Sequence, residues 1–425
     1  MQTTFRRASF WVVPAVLAAL AALSLLPAAP PRALWLDEAF GLHTGVINSS
    51  WFDLLWHGAP GQGSPHPLYY VWEKLLLAPW MPAPQHYWNL NFYFRLAPIF
   101  FYALSGAVMF VSASRALPHL FPRISSWQRS LIASAAAVFF YKIQFAQFYA
   151  LEARPYSLWL FLSSAHLALT LPLLVAGFRG RGERLGYALV STLLCFVASP
   201  GILQVGLSFL AITFPRRFLR EVPFVIPAAV VAVFYVREVG HNGYSIGGYG
   251  YYLECLREVA YKSFHARNGW VFFSVLILAL VRLATGSSLE LRARLSFYLA
   301  SLVGLSFLLY LMCRWDGFFL ASRQYIYLLP AFEVLYGLAL LQAAAWLALL
   351  PPLRGKVGVA GWITLWAALL LAQNIPELFH RAITLPAALA PYQLYGVKSG
   401  ELCTKDIRAF GSSEQEIAKL DRSCH

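Results

Sequence analysis

The chain has 425 residues, of which 59% are hydrophobic and only 12% charged; that charged share is roughly half the soluble-domain norm. Such a balance, with five cysteines, excludes a soluble enzyme, a disordered chain and a disulfide-stapled miniprotein. The net charge of +14 would suit nucleic acid in a soluble protein, but here basic loops beside membrane spans account for it, and no nucleic-acid partner is expected.

A membrane helix needs about 20 apolar residues. The first apolar run, 10–27, follows Arg6 and Arg7. It is too long for a signal-peptide core, and its exit, Leu26-Pro27-Ala28-Ala29-Pro30-Pro31, is a poor cleavage context, so it is read as a retained span. A long segment, 28–95, comes next. Asp37-Glu38 follows Leu34-Trp35-Leu36, and two adjacent acids beside bilayer-depth residues are expensive unless used or paired. The plain alternative is an acidic start to an interfacial helix. The stretches 51–56 and 68–77, the second carrying Lys74, read as short interfacial helices with aromatic anchors. Between them, Pro65-His66-Pro67-Leu68-Tyr69-Tyr70 holds His66 in an extended turn, unless Pro67 merely opens the helix.

Further runs fall at 96–113, 130–147, 156–177, 186–199, 202–214, 222–236, 269–284, 295–312, 324–348 and 359–373, making eleven spans. Basic groups recur at every second loop: Arg115/Arg123/Arg129, Arg179/Arg181/Arg184, Arg216/Arg217/Arg220, Arg282/Arg292/Arg294 and Arg354/Lys356. The positive-inside rule puts these loops and the N-terminus in the cytoplasm and the C-terminus outside. Arg154 and Arg323 fall on the outer side, where topology does not explain them. Arg154 lies in Glu152-Ala153-Arg154-Pro155-Tyr156, between the third and fourth spans. Its plain reading is an ion pair with Glu152 closing a tight loop; a lone cation at that depth also suits a phosphate oxygen. Arg323 lies in Ser322-Arg323-Gln324-Tyr325, at the outer start of the tenth span, where an Arg/Tyr interfacial anchor is the plain reading. The loop 237–268 opens on a Gly/Tyr run and reads as a mobile lid. The tail 374–425 lies outside and holds Cys403 and Cys424, expected to pair in an oxidising compartment. Cys195, Cys255 and Cys313 read as buried thiols. There is no P-loop and no Asp-X-Asp pair, which argues against an ATP-driven pump and a nucleotide-linked sugar donor.

Asp37-Glu38, Pro65-His66-Pro67-Leu68-Tyr69, Glu152-Ala153-Arg154-Pro155-Tyr156 and Arg323-Gln324-Tyr325 with Leu329-Pro330 together resemble the GT-C class of polyprenyl-phosphate-dependent glycosyltransferases. The nearest group contains the protein O-mannosyltransferases and the lipid A aminoarabinose transferases. The likeness covers residues 10–330, and its first and third elements are the more specific. It departs at Ala198-Ser199-Pro200-Gly201, where family members often place a His or Tyr pair. The tail is also too short for the extra domain that some members carry.

The resemblance implies an all-α, multi-span bundle with outer juxtamembrane helices: a catalytic module over 1–373 and a small tail. It implies a sugar moved from a polyprenyl phosphate to a hydroxyl or similar nucleophile of an envelope glycolipid, polysaccharide or protein on the outer face. The chemistry needs cations for the departing phosphate, with Arg154 first, Arg323 second and Lys74 third. It needs one general base, assigned to Asp37 with Glu38 orienting, and one base suffices for inversion. His66, Tyr69, Glu152, Tyr156 and Tyr325 are expected to touch substrate or orient those groups. No cofactor is expected; a metal on Asp37, Glu38 and His66 is the alternative. The expected location is a bacterial inner membrane with a periplasmic site. The rival function is a transporter or flippase of lipid-linked sugars.

Overall fold

A computed structural model describes residues 2–26, 46, 49–57, 67–77, 87–198, 200–213, 218–236, 249–263, 270–285, 289–316, 322–350 and 358–383. Asp37, Glu38, His66, Cys403, Cys424 and the Gly/Tyr run of 237–248 lie outside the described residues.

Every described element is helical, as the apolar runs require. The helices are α1 (Gln2–Leu25), α2 (Trp51–His57), α3 (Pro67–Leu77), α4 (Tyr87–Leu120), α5 (Ser126–Tyr141), α6 (Gln144–Ala150), α7 (Tyr156–Ala176) and α8 (Arg181–Val197). They continue as α9 (Gly201–Thr213), α10 (Phe218–Glu221), α11 (Ile226–Val236), α12 (Tyr249–Ser263), α13 (Trp270–Thr285), α14 (Leu289–Asp316), α15 (Leu329–Leu347) and α16 (Val359–Ile383). Short 3-10 turns cover Val222–Phe224 and Ser322–Leu328. Helical turns occupy all eleven apolar runs, but 130–147 is divided between α5 and α6, and 222–236 and 324–348 each begin in a 3-10 turn. By length and composition, five helices suit a membrane crossing, or six if the bent pair α5–α6 is one span. The helix α4 packs on α1, α5 and α7; α16 closes against α1, α5 and α15; α13 lies along α15.

The run 130–147 is not one straight span. A capping box of Ser125 and Gln128 starts α5, and the chain then bends by 64° into α6. A break inside an apolar bundle frees backbone carbonyls that water cannot reach, so neighbours must serve them. The Tyr141 carbonyl accepts from the Tyr102 hydroxyl at 2.6 Å and from the Gln147 amide at 2.6 Å, and the Tyr141 hydroxyl donates to the Ala103 carbonyl at 2.6 Å. Gly106 makes room for the Tyr141 ring, since a Cβ there would lie 2.2 Å from its Cε1. Lys142, the charge that sequence places nearest mid-span, sits at the bend and pairs with Glu377 of α16 at 2.5 Å.

The two ends of the bundle are stitched differently. At one end Arg184 grips the buried Glu221 at 2.6 and 2.9 Å. At the same end Arg294 donates to the carbonyls of Leu174 and Ile212, in the last turns of α7 and α9, where a cation favours helix termini. These are loops that sequence assigns to the cytoplasm. The opposite end carries α3, α12, the α6–α7 turn and the 3-10 turn before α15. The 237–268 segment is thus more than a loop: 249–263 forms the amphipathic helix α12, packed on α6 and the 3-10 turn. Cys195, Cys255 and Cys313 are buried, as expected.

Candidate active site

The turn between α6 and α7 is tight. Glu152 N–H donates to the Tyr149 carbonyl, Arg154 N–H donates to the Glu152 carbonyl at 2.8 Å, and Pro155 fixes the entry to α7. The turn leaves Glu152 and Arg154 buried, at 3% and 6% exposure. Arg154 lies over the Tyr156 ring, its guanidinium carbon 5.9 Å from the centroid. The Arg323 guanidinium approaches the same ring at 5.6 Å. Two cations from constellations far apart in sequence therefore flank one aromatic platform, an arrangement that cation–π attraction favours.

Around them, Tyr149 is hydrogen-bonded to Ser322 and has Glu152, Arg323 and Tyr156 as neighbours. Its ring meets Tyr156 edge-on at 5.3 Å. From α12, Glu258 reaches Ser322 and is bonded by Lys262 at 2.5 Å. Partial burial alone would raise the Glu258 pKa, but these two bonds outweigh it and hold the carboxyl below its ordinary 4.5. Lys262 also lies 5.6 Å from the Phe148 ring. Tyr251 has Cys255, Glu258 and Arg323 beside it. A cluster of two guanidiniums, one ammonium and two carboxylates is thereby gathered by α6, α7, α12 and the 3-10 turn. Its net charge of +1 suits an anionic group.

The other expected residues are placed as follows. Tyr325 is buried behind Arg323, its ring 6.4 Å from that of Tyr252. Lys74 donates to the carbonyl of Val46 at 2.8 Å and to that of Ser49, and lies over Trp51. Burial pulls its pKa below the ordinary range. In this structure its ammonium is occupied in tying Val46 and Ser49 to α3. The Tyr69 hydroxyl donates to Glu73, and both side chains are buried. Asp37, Glu38 and His66 lie outside the described residues. Among the described residues, no group of three or more His, Cys, Asp or Glu gathers to hold a metal; the Asp37/Glu38/His66 alternative is outside that set.

Sequence reading missed Glu258 and Lys262, which join the cluster, and passed over two buried charges elsewhere, Arg95 and Glu73. Arg95 is fully buried near the start of the long apolar stretch of α4. Its signal was a lone arginine at an outer span edge. For Glu258 and Lys262 the signal was an acid–base pair four residues apart in an amphipathic stretch.

No family model matches the chain, and no curated protein matches it in sequence. Two solved structures share its fold. The crystal structure of ArnT from Cupriavidus metallidurans in the apo state aligns with TM-score 0.51 and 13% identity, covering 95% of this chain and 81% of that one. The structure of that protein bound to undecaprenyl phosphate aligns with TM-score 0.51 and 12% identity, covering 93% and 80%. The fold is therefore the GT-C-like helical bundle that the sequence motifs implied. Identity this low speaks for the fold and carries no residue roles.

Proposed function

We propose that this chain is a membrane glycosyltransferase that takes a sugar from a polyprenyl-phosphate donor and passes it to a hydroxyl of an envelope glycolipid, polysaccharide or protein. One observation carries the reading: Arg154 and Arg323 converge on Tyr156 at the end of a bundle whose fold it shares with a protein crystallised with undecaprenyl phosphate.

The residues fit a single displacement. Asp37 accepts the proton of the acceptor hydroxyl as its oxygen bonds to the anomeric carbon of the sugar. The bond from that carbon to the phosphate oxygen breaks, and its electron pair leaves with the polyprenyl phosphate. Arg154 and Arg323 hold that growing negative charge, and a buried site makes such donors worth more than in water. One base and no enzymic nucleophile give inversion at the anomeric carbon. Glu38 orients the base, Glu152 orients Arg154, and His66 meets acceptor or phosphate. Lys74 joins the phosphate site by releasing the Val46 and Ser49 carbonyls. The proposed location is a bacterial inner membrane, with the site on the periplasmic face.

The test is transfer by purified protein from a radiolabelled polyprenyl-phosphate sugar to candidate acceptors. Asp37→Asn is expected to lower the rate by about 10²–10⁴-fold while the protein still folds and binds donor. Transfer at the wild-type rate would remove Asp37 as base. The rival reading, a carrier of lipid-linked sugars, draws on Glu333, whose buried carboxylate on α15 has no hydrogen-bond partner among the described residues. An acid inside a bundle is a common mark of a transport path. Flux of the donor lipid across a vesicle membrane without sugar transfer would favour that reading.

A further inference from the structure

About 15 Å along α7 from Tyr156, at 1.5 Å per residue, four helices meet around a polar cluster unconnected with the arginine site. His166 of α7 is fully buried, and its Nε2 lies 3.2 Å from Ser208 Oγ of α9. Ser208 donates to the Val205 carbonyl at 2.9 Å and contacts the Tyr187 hydroxyl of α8 at 2.6 Å. Ser208 has one proton. If it goes to Val205, Tyr187 and His166 Nε2 both donate to Ser208, and His166 Nδ1 is left as an acceptor. With the other tautomer Nδ1 is a donor. Either way Nδ1 has no hydrogen-bond partner among the described residues.

Three more buried hydroxyls share this fate. Among the described residues, Thr170 Oγ1, one turn along α7 from His166, has no hydrogen-bond partner, and neither do Ser191 Oγ of α8 and the Tyr298 hydroxyl of α14. Tyr298 neighbours Thr170, and Tyr187 neighbours Ser191, but these contacts fall short of hydrogen-bond geometry. Lipid supplies no donors or acceptors here, and buried polar groups are almost always paired, by water where protein does not reach.

We propose that α7, α8, α9 and α14 hold a buried water site at this junction, with water bridging His166 Nδ1 to the hydroxyls of Thr170, Ser191 and Tyr298. Water can donate or accept, so it satisfies Nδ1 in either tautomer and each hydroxyl as well. The bridge binds α7 to three neighbours by polar contacts inside a bundle, where apolar burial gives helices little reason to associate. One turn further, Arg294 fastens the ends of α7 and α9. Together they fix the helix whose other end carries Tyr156.

Electron cryo-microscopy of the full chain in lipid nanodiscs, at a resolution that shows ordered water, tests this directly. Density is expected within about 3.2 Å of His166 Nδ1. A map with Nδ1 bonded directly to a side chain, or with no density there, overturns the proposal. Thr170→Val and Tyr298→Phe each remove one hydroxyl at nearly constant shape and give an independent reading. If water bridges them, both variants lower the thermal midpoint. If the hydroxyls are idle orphans, their removal leaves the midpoint unchanged or raises it, and the water site is refuted.

Discussion

Gly106 shows how much one atom decides in this bundle. Its missing side chain lets the Tyr141 ring lie against α4, where the Tyr141 hydroxyl and carbonyl each complete a bond at 2.6 Å. Gly106→Ala sets a methyl 2.2 Å from the ring, and the ring cannot retreat without losing the Ala103 carbonyl. Overpacking of this kind costs about 1–3 kcal/mol. A thermal scan in detergent is expected to show a lowered midpoint; an unchanged midpoint would mean that the ring has slack. Sequence showed Arg154 and Arg323 at this scale because topology left them unexplained. It could not show that they share the Tyr156 ring, because that contact depends on how the 3-10 turn before α15 packs on α7. Nor could it show that Lys74 is held by two carbonyls, since backbone acceptors leave no trace in a side-chain pattern.

Apolar runs announced the helices but not their interruptions. The run 130–147 has nothing at its centre that forbids a helix, and its 64° bend is held by Tyr102 and Gln147, residues on either side of it. Helix α12 was hidden by the Gly/Tyr run before it. Its attachment has a pH signature. The Glu258 carboxyl is held below its ordinary 4.5 in the folded chain, so its contribution is present above that value and lost as pH falls through the lower folded value. Amide exchange over 249–263, corrected for intrinsic rates, is expected to hold steady above about pH 5 and to quicken as pH falls below the ordinary 4.5. In Glu258→Gln that added dependence disappears. A wild-type profile identical to that of the variant would show that Lys262 and Ser322 contribute nothing to holding α12.

Across the whole molecule, the apolar runs made a helical membrane bundle readable from sequence, and the motif resemblance supplied its class. The bonds of Arg184 to Glu221 and of Arg294 to two helix ends also separate the two ends of the bundle. The eleven-span topology expected from sequence puts the Arg184 loop and Lys262 on opposite sides, and it can be tested. With native cysteines replaced, a cysteine at Gly180 is expected to resist a membrane-impermeant maleimide in intact cells, and one at Tyr261 to react. Labelling of both from outside would refute that topology. Sequence could not place Asp37 and Glu38 relative to the arginines, because they precede a long segment with no periodic pattern to aim it.

All of this bears on whether the paired guanidiniums receive a lipid phosphate, and equilibrium binding of undecaprenyl phosphate to purified protein reads that out. Wild-type protein is expected to bind it, and Arg154→Ala and Arg323→Ala each to weaken binding by about 10- to 100-fold, the loss of roughly 1.5–3 kcal/mol from a charged hydrogen bond. Binding of equal strength by wild type and both variants would show that the phosphate lies elsewhere and that the two arginines serve only to pack Tyr156.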